Sequence, residues 1–295
     1  MFNTIAIIFD FDITLSPYFQ QELIFRRWGI KAEDFWSESA ELMKRGYDME
    51  HAYLRNLIDY NKRSKEFALN NILLKELGSQ IDLYEGLSKK ENKHSVFDDL
   101  ERIAKENSTD DIDIKLEYYC ISGGIKEMIE GALQTHKLNF KEIFACSLDE
   151  DAGGTLGYIK ETVGHTIKTQ KLYMIAKGVS PQRGDDPSKV NEKMQKLRIP
   201  FENMIFLGDG QTDIPAFSML KSNGGRTIAV YREEKKADGS VDEAKTLKSY
   251  LNGYELAIKA GRAEQLLPAD YSDGKPLKMA LLGYVQDIAE RIAKG

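Results

Sequence analysis

Apolar residues along this chain come in two rhythms. Short continuous runs at 5–9, 116–121, 143–148, 204–207 and 227–231 have the length of buried strands. Between them, apolar residues recur every three or four positions, which predicts helices over 17–28, 32–45, 96–104, 125–133, 169–176, 190–197, 214–220 and 276–293. Residues 48–81, with Leu54, Leu57, Ile58 and Phe67 in helical spacing, read as one long helix or two shorter ones. Residues 153–163, opening on Gly153-Gly154, read as a hairpin, and 263–267 as a last edge strand. The charged segment 232–249 reads as a solvated loop followed by a surface helix.

Strands alternating with helices predict an α/β fold, a Rossmann-like, doubly wound parallel sheet covered on both faces. One block breaks the alternation. Immediately after the first strand, residues 17–83 are helical throughout, and we expect them to form an inserted all-α cap. The α/β core is then 1–16 and 84–295. Open α/β sheets bind ligands outside the carboxyl ends of their strands. The cap is expected to lie over that edge.

Chemistry-bearing residues cluster at those strand ends. The first run leads into Asp10-Phe11-Asp12-Ile13-Thr14, and the 204–207 run into Gly208-Asp209-Gly210-Gln211-Thr212-Asp213. Taken singly, each acidic group has a plain structural explanation, an Asx-turn or a favourable helix-start carboxylate. Taken together, four carboxylates at one edge repel one another, and protonation or a bound cation relieves that. Oxygen-only ligands with room for water suit Mg2+. Ser122-Gly123-Gly124, at the end of another strand, offers close backbone approach and helix-start N–H groups to an anion, although an ordinary strand-to-helix turn has the same sequence. Lys168 and Lys171 lie near a helix start, where the helix dipole does not favour a cation, and one of them is expected to face an anion.

Charge and composition narrow the partners. The 41 basic residues against 47 acidic ones give a net charge of -6 with no long block of either sign, so nucleic acid is not the favoured partner. No run approaches a membrane span, no leader pattern opens the sequence, and the two cysteines, Cys120 and Cys146, fall in strand-like runs. A cytoplasmic setting is the simplest expectation. Oligomeric state is not legible.

The ordered set of motifs resembles the haloacid dehalogenase superfamily of phosphohydrolases, in its branch similar to phosphoserine phosphatase with a helical cap after the first strand. The matching residues are Asp10-X-Asp12-X-Thr14, Ser122, Lys168 by its four-residue spacing to Leu172, and Asp209 with Asp213. The resemblance implies a Mg2+-dependent phosphatase acting on a small phosphorylated metabolite through an aspartyl-phosphate. It assigns Asp10 as nucleophile and Asp12 as acid and base. Asp10, the Asp12 carbonyl, Asp209 and Asp213 would hold the metal; Thr14, Ser122, Gly123 and Lys168 would serve the phosphate. A phosphotransferase using the same intermediate, or a non-catalytic binder of a phosphorylated ligand, would share this sequence. Two departures stand out. Ile13 occupies a position where many members have a small residue, and Phe19 stands where those acting on phosphoserine carry an acid, the nearest acid here being Glu22. Arg26, Arg27, Trp28, Tyr53 and Arg55 are candidates to line the cap, although a solvated face with packing aromatics is the commoner explanation. His51, His94, His136 and His165 have no metal-ligand spacing.

Overall fold

The computed structural model describes residues 3–64, 67–236 and 238–294. Lys65 and Glu66, inside the helical stretch read at 48–81, and Ala237, inside the charged segment, lie outside the described residues, as do the outermost residues of the chain.

The continuous apolar runs are the strands β1 (Thr4–Phe9), β2 (Lys115–Ile125), β3 (Glu142–Glu150), β4 (Leu156–Glu161), β5 (Met204–Gly208), β6 (Arg226–Tyr231) and β7 (Gln265–Pro268). They form one sheet in the order β4-β3-β2-β1-β5-β6-β7. Every pairing is parallel except β3 with β4, the antiparallel hairpin expected from Gly153-Gly154. β1 and β5 are continuously apolar because they are buried along their length, as central parallel strands must be. Strand order reverses at β1, which lies between β2 and β5. The two acidic loops therefore leave the sheet side by side, at the switch point where such folds bind ligands.

Among the described residues ten α-helices account for the periodic stretches other than 190–197, and for the surface helix expected in the charged segment: α1 (Gln21–Trp28), α2 (Ala32–Lys44), α3 (Met49–Arg63), α4 (Asn71–Gly78), α5 (Val96–Glu106), α6 (Lys126–Thr135), α7 (His165–Lys177), α8 (Ile214–Ser222), α9 (Glu243–Gly253) and α10 (Pro276–Lys294). The stretch at 48–81 resolves into two helices, the second capped by Asn70, whose side chain accepts from the Leu73 N–H. α5 opens on a capping box in which Ser95 and Asp98 satisfy each other's backbone donors. α5 packs on α10 and α7 on α8 around the sheet, and a group of rings formed by Phe9, Phe97, Phe140 and Tyr271 fills the core beneath β1.

Three expectations change. The first helix starts at Gln21, not residue 17, because Gln20 is engaged elsewhere: its N–H donates to the Asp12 carboxylate. α7 starts at His165, four residues before the expected 169, and this brings Lys168 into its first turn. The helix read at 190–197 is absent; a short 3-10 turn, Pro187–Asn191, gives way to irregular chain. Val190 and Leu197 pack on the core, but Met194 between them is exposed, so the three apolar positions do not form one buried stripe. The Lys177 ammonium also binds the carbonyls of Val190 and Glu192, which a helix would need for itself.

α4 falls inside the stretch read as cap, yet it lies against α6. Gly78 and Gly131 make the contact possible: a Cβ on Gly131 would stand 2.1 Å from the Lys75 carbonyl oxygen, and one on Gly78 2.1 Å from that of Met128. Backbone meets backbone here, with nothing flexible to yield. Gly131→Ala should therefore lower stability by about 1–3 kcal/mol, although alanine is the better helix former by about 1 kcal/mol. Urea unfolding of the variant checks it, and a gain in stability would show that the two helices separate freely.

Candidate active site

The site is built where β1, β2 and β5 end under α1 and α3. Asp10 follows β1 directly, and its Oδ1 accepts from the Phe11 N–H at 2.6 Å. The chain then turns tightly, the Phe11 carbonyl accepting from the N–H groups of Thr14, Leu15 and Ser16. Ile13 takes a left-handed backbone conformation, φ 59°, which costs a β-branched residue about 1–2 kcal/mol. This is the physical form of the departure noted at Ile13. Thr14 faces inward and is fully enclosed, its carbonyl accepting from the Tyr271 hydroxyl. It is not among the residues that wall the cavity described below.

Lys168 joins the two acidic loops. Its Nζ stands 2.7 Å from Asp10 Oδ2 and 2.7 Å from Asp213 Oδ1, and the side chain is fully buried. Burial alone would lower its pKa, but Asp10 and then Asp213 outweigh that and raise it, so the ammonium is retained. Lys171, the other candidate, turns away to Glu161, with its Nζ 2.7 Å from that carboxylate and over the Phe144 ring. Asp213 also accepts from the Gly210 N–H. Its pKa is pushed up to about 6 by burial, Lys168 opposing and Asp10 adding. Asp209 rises well above the carboxylate range, from burial first and then from the charges of Asp10 and Asp213.

Carboxylate oxygens of Asp10, Asp209 and Asp213 lie within 4.8 Å of one another. One buried ammonium does not balance three such groups. An all-oxygen set of this kind, short of positive charge, fits a hard divalent cation.

Asp12 is held apart from that cluster. Its two oxygens accept from Gln20, one from the backbone N–H at 2.9 Å and one from the side-chain amide at 3.2 Å. Gln20 Oε1 in turn accepts from the Ile125 N–H. Burial pushes Asp12 up to about 7, with the Gln20 N–H opposing and the Asp10 charge adding. Gly124 leaves the room this clamp needs, since a Cβ there would fall 1.9 Å from Gln20 Nε2. The glycine pair thus serves the clamp as well as any ligand. The Gly124 N–H is taken by Ser122 Oγ and the Ile125 N–H by Gln20, so neither is free for an anion.

Above these groups lies a cavity of about 480 Å³. Its floor is Asp10, Asp12, Ser122, Gly123 and Asp209; its cap side is Phe19, Trp36, Met49, Glu50 and Tyr53. The Tyr53 hydroxyl donates to the Gly123 carbonyl and ties α3 to the β2 turn. Of the other candidates on the cap, Arg26 is exposed beside Glu22, Trp28 stacks on Tyr60 and donates to the Phe67 carbonyl, and Arg55 pairs with Asp59. Arg26, Arg27, Trp28 and Arg55 do not reach the cavity. Gln20, Trp36, Met49 and Glu50 went unread in the sequence. Glu50 had a signal: it lies on the buried stripe of α3 with Tyr53, Leu54, Leu57 and Ile58, where a carboxylate is costly without a reason.

The fold is that of the haloacid dehalogenase-type hydrolases. A substrate-bound phosphoserine phosphatase is 18% identical with a TM-score of 0.53, covering 94% of this chain and 97% of that one. A hydrolase of the haloacid dehalogenase family from Salmonella enterica serovar Typhi is 20% identical with a TM-score of 0.50, covering 77% of this chain; this chain spans only 62% of that one. In sequence, the chain is similar to an uncharacterised protein of Borreliella burgdorferi, 28% identical and covering 79% of this chain and 85% of that protein. No family model matches the sequence.

Removing Lys168 tests whether it holds the cluster together. Lys168→Met, unfolded in urea with a chelator present, should lose about 3–5 kcal/mol, since it strands Asp10 and Asp213 without their cation. An unchanged unfolding midpoint would exclude that role.

Proposed function

We propose that the protein is a Mg2+-dependent phosphatase that hydrolyses a small phosphate monoester through an aspartyl-phosphate on Asp10. The observation that carries this reading is Lys168 shared between Asp10 and Asp213, with Asp12 clamped separately by Gln20. One carboxylate thereby sits against a fixed cation. Its neighbour two residues on is pushed up to about 7, chiefly by burial, which suits a proton donor.

A carboxylate oxygen of Asp10 attacks phosphorus and the bond to the ester oxygen breaks. Asp12, protonated at the start, gives its proton to the leaving alkoxide. In the second half Asp12, now ionised, takes a proton from water, which attacks the aspartyl-phosphate; orthophosphate leaves and Asp10 is restored. Gln20 holds the Asp12 carboxyl at the cavity floor for both transfers. Ser122 and Gly123 on the cavity floor serve the phosphoryl oxygens, Lys168 supplies its charge from beneath through Asp10, and Thr14 acts through the shape of the first loop. Mg2+ would be held by Asp10, the Asp12 carbonyl, Asp209 and Asp213, and would neutralise charge on the transferring group. α1, α2 and α3 form the cap in this reading, while α4, seated on α6, goes with the core.

Phosphate release from phenyl phosphate with Mg2+ is the direct test. Asp10→Asn should lose roughly a thousandfold or more of wild-type turnover. Wild type and variant turning over equally, or neither acting on a broad panel of esters, defeats the proposal. Metal use has its own readout: Mg2+ should raise the thermal midpoint of the wild type, and Asp209→Asn should remove most of that shift. A midpoint indifferent to Mg2+ in the wild type would take the metal out of the reading.

A further inference from the structure

The cavity has an unusual balance of polar groups. Glu50 is 6% exposed, and its Oε1 is enclosed without a hydrogen-bond partner. Gln21, 3% exposed on the same wall, likewise has an Oε1 with no partner. Both orphans are acceptors. Among the described residues lining the cavity there is no lysine, arginine or histidine. Lys168 lies beneath the floor and is already committed to two carboxylates.

The rest of the cap side is apolar and open. Phe19, Trp36 and Met49 are 49%, 37% and 40% exposed and line the same cavity, and exposed apolar side chains that share one cavity mark a surface a ligand can cover. The Trp36 and Tyr53 rings meet at 57° with centroids 6.1 Å apart and form a corner of two aromatic faces.

Resting on the phosphatase reading, we propose that the substrate is the phosphate monoester of an amino alcohol, with its ammonium bound by Glu50 and Gln21 and its carbon chain held against Phe19, Trp36 and Met49. A neutral donor would satisfy one lone pair of Glu50 but leave its charge uncompensated in a cavity without basic side chains. An ammonium does both, since it carries positive charge and three N–H donors, enough for a carboxylate and an amide oxygen. The aromatic corner adds attraction for a cation. The same balance rejects a leaving group bearing a carboxylate or second phosphate, which would meet Glu50 and the aspartates with no cation to receive it. Phosphoserine carries such a carboxylate.

A series of alkyl monophosphates, ethyl to hexyl, ending in ammonium, hydroxyl, methyl or carboxylate, tests this alongside phenyl phosphate. The best ammonium ester should exceed its hydroxyl and methyl counterparts in kcat/KM by roughly 10- to 100-fold, with the carboxylate ester slowest. Glu50→Gln should bring the ammonium-to-methyl ratio close to one. If the wild type turns over phenyl phosphate but does not rank ammonium above hydroxyl and methyl, this assignment falls and the phosphatase reading stands. Calorimetric titration of the free amino alcohols and their uncharged isosteres into the wild type reads the same preference without turnover. Tighter binding of the ammonium compounds with no ester hydrolysed would overturn the phosphatase reading alone; equal binding would overturn the role of Glu50.

Discussion

The structure turns on one buried ammonium. Lys168 reaches between two strand ends that are almost two hundred residues apart in sequence and bonds a carboxylate from each. Neither Asp10 nor Asp213 is tolerable in a dry interior alone, and Asp209 beside them adds to the same deficit. The fold arranges itself around this compensation. β1 pairs with β5, so the two loops leave together. α7 begins at His165, so its first turn delivers the lysine from the side. The charge count still does not close, because one ammonium faces three carboxylates, and that residual is what a divalent cation would satisfy.

Asp12 obeys a different constraint although only two residues separate it from Asp10. Its oxygens are taken by Gln20, and Gln20 is anchored to the start of α6 through the Ile125 N–H. Burial raises Asp12, with the Gln20 N–H and, more weakly, Lys168 opposing, whereas Asp10 bonds Lys168 directly. Two chemically identical side chains are thereby given different surroundings by what touches them. The clamp also joins the segment entering the cap to the sheet edge. Any movement of the chain at Gln20 is a movement of the Asp12 environment.

Much of this was legible because it follows from period and placement. Continuous apolar runs ending in acidic loops identified β1 and β5 as buried parallel strands, and their order in the sheet made the loops neighbours. Lys168 and Lys171 are on one helix with similar sequence surroundings, so only the rotation of α7 separates the lysine that meets Asp10 from the one that meets Glu161. Gln20 carries no sequence signal, since its role depends on a backbone N–H at residue 125. The glycines at 123 and 124 suggested ligand approach, yet at Gly124 the space is occupied by a glutamine of the protein itself. The helix expected at 190–197 failed because Lys177 takes the carbonyls it would have used, a tertiary contact that no local pattern contains.

The two halves of the cavity answer different physical demands. The floor is dense with carboxylates held by short bonds to Lys168, Gln20 and backbone, so its geometry tolerates little change and suits one kind of chemistry. The cap side has few such bonds: Tyr53 ties α3 down to the Gly123 carbonyl, while Phe19, Trp36 and Met49 remain exposed and Glu50 Oε1 is left without a hydrogen-bond partner. A buried carboxylate on an otherwise apolar helix stripe weakens the packing of that helix. Arginines are present on α1 and α3, yet Arg26 and Arg55 pair outward with Glu22 and Asp59 instead of turning in to neutralise it. The unpartnered Glu50 oxygen therefore stays on the wall of the cavity, with neither arginine beside it. Among the described residues the cap side is thus defined by the basic side chains it lacks as much as by the apolar ones it contains.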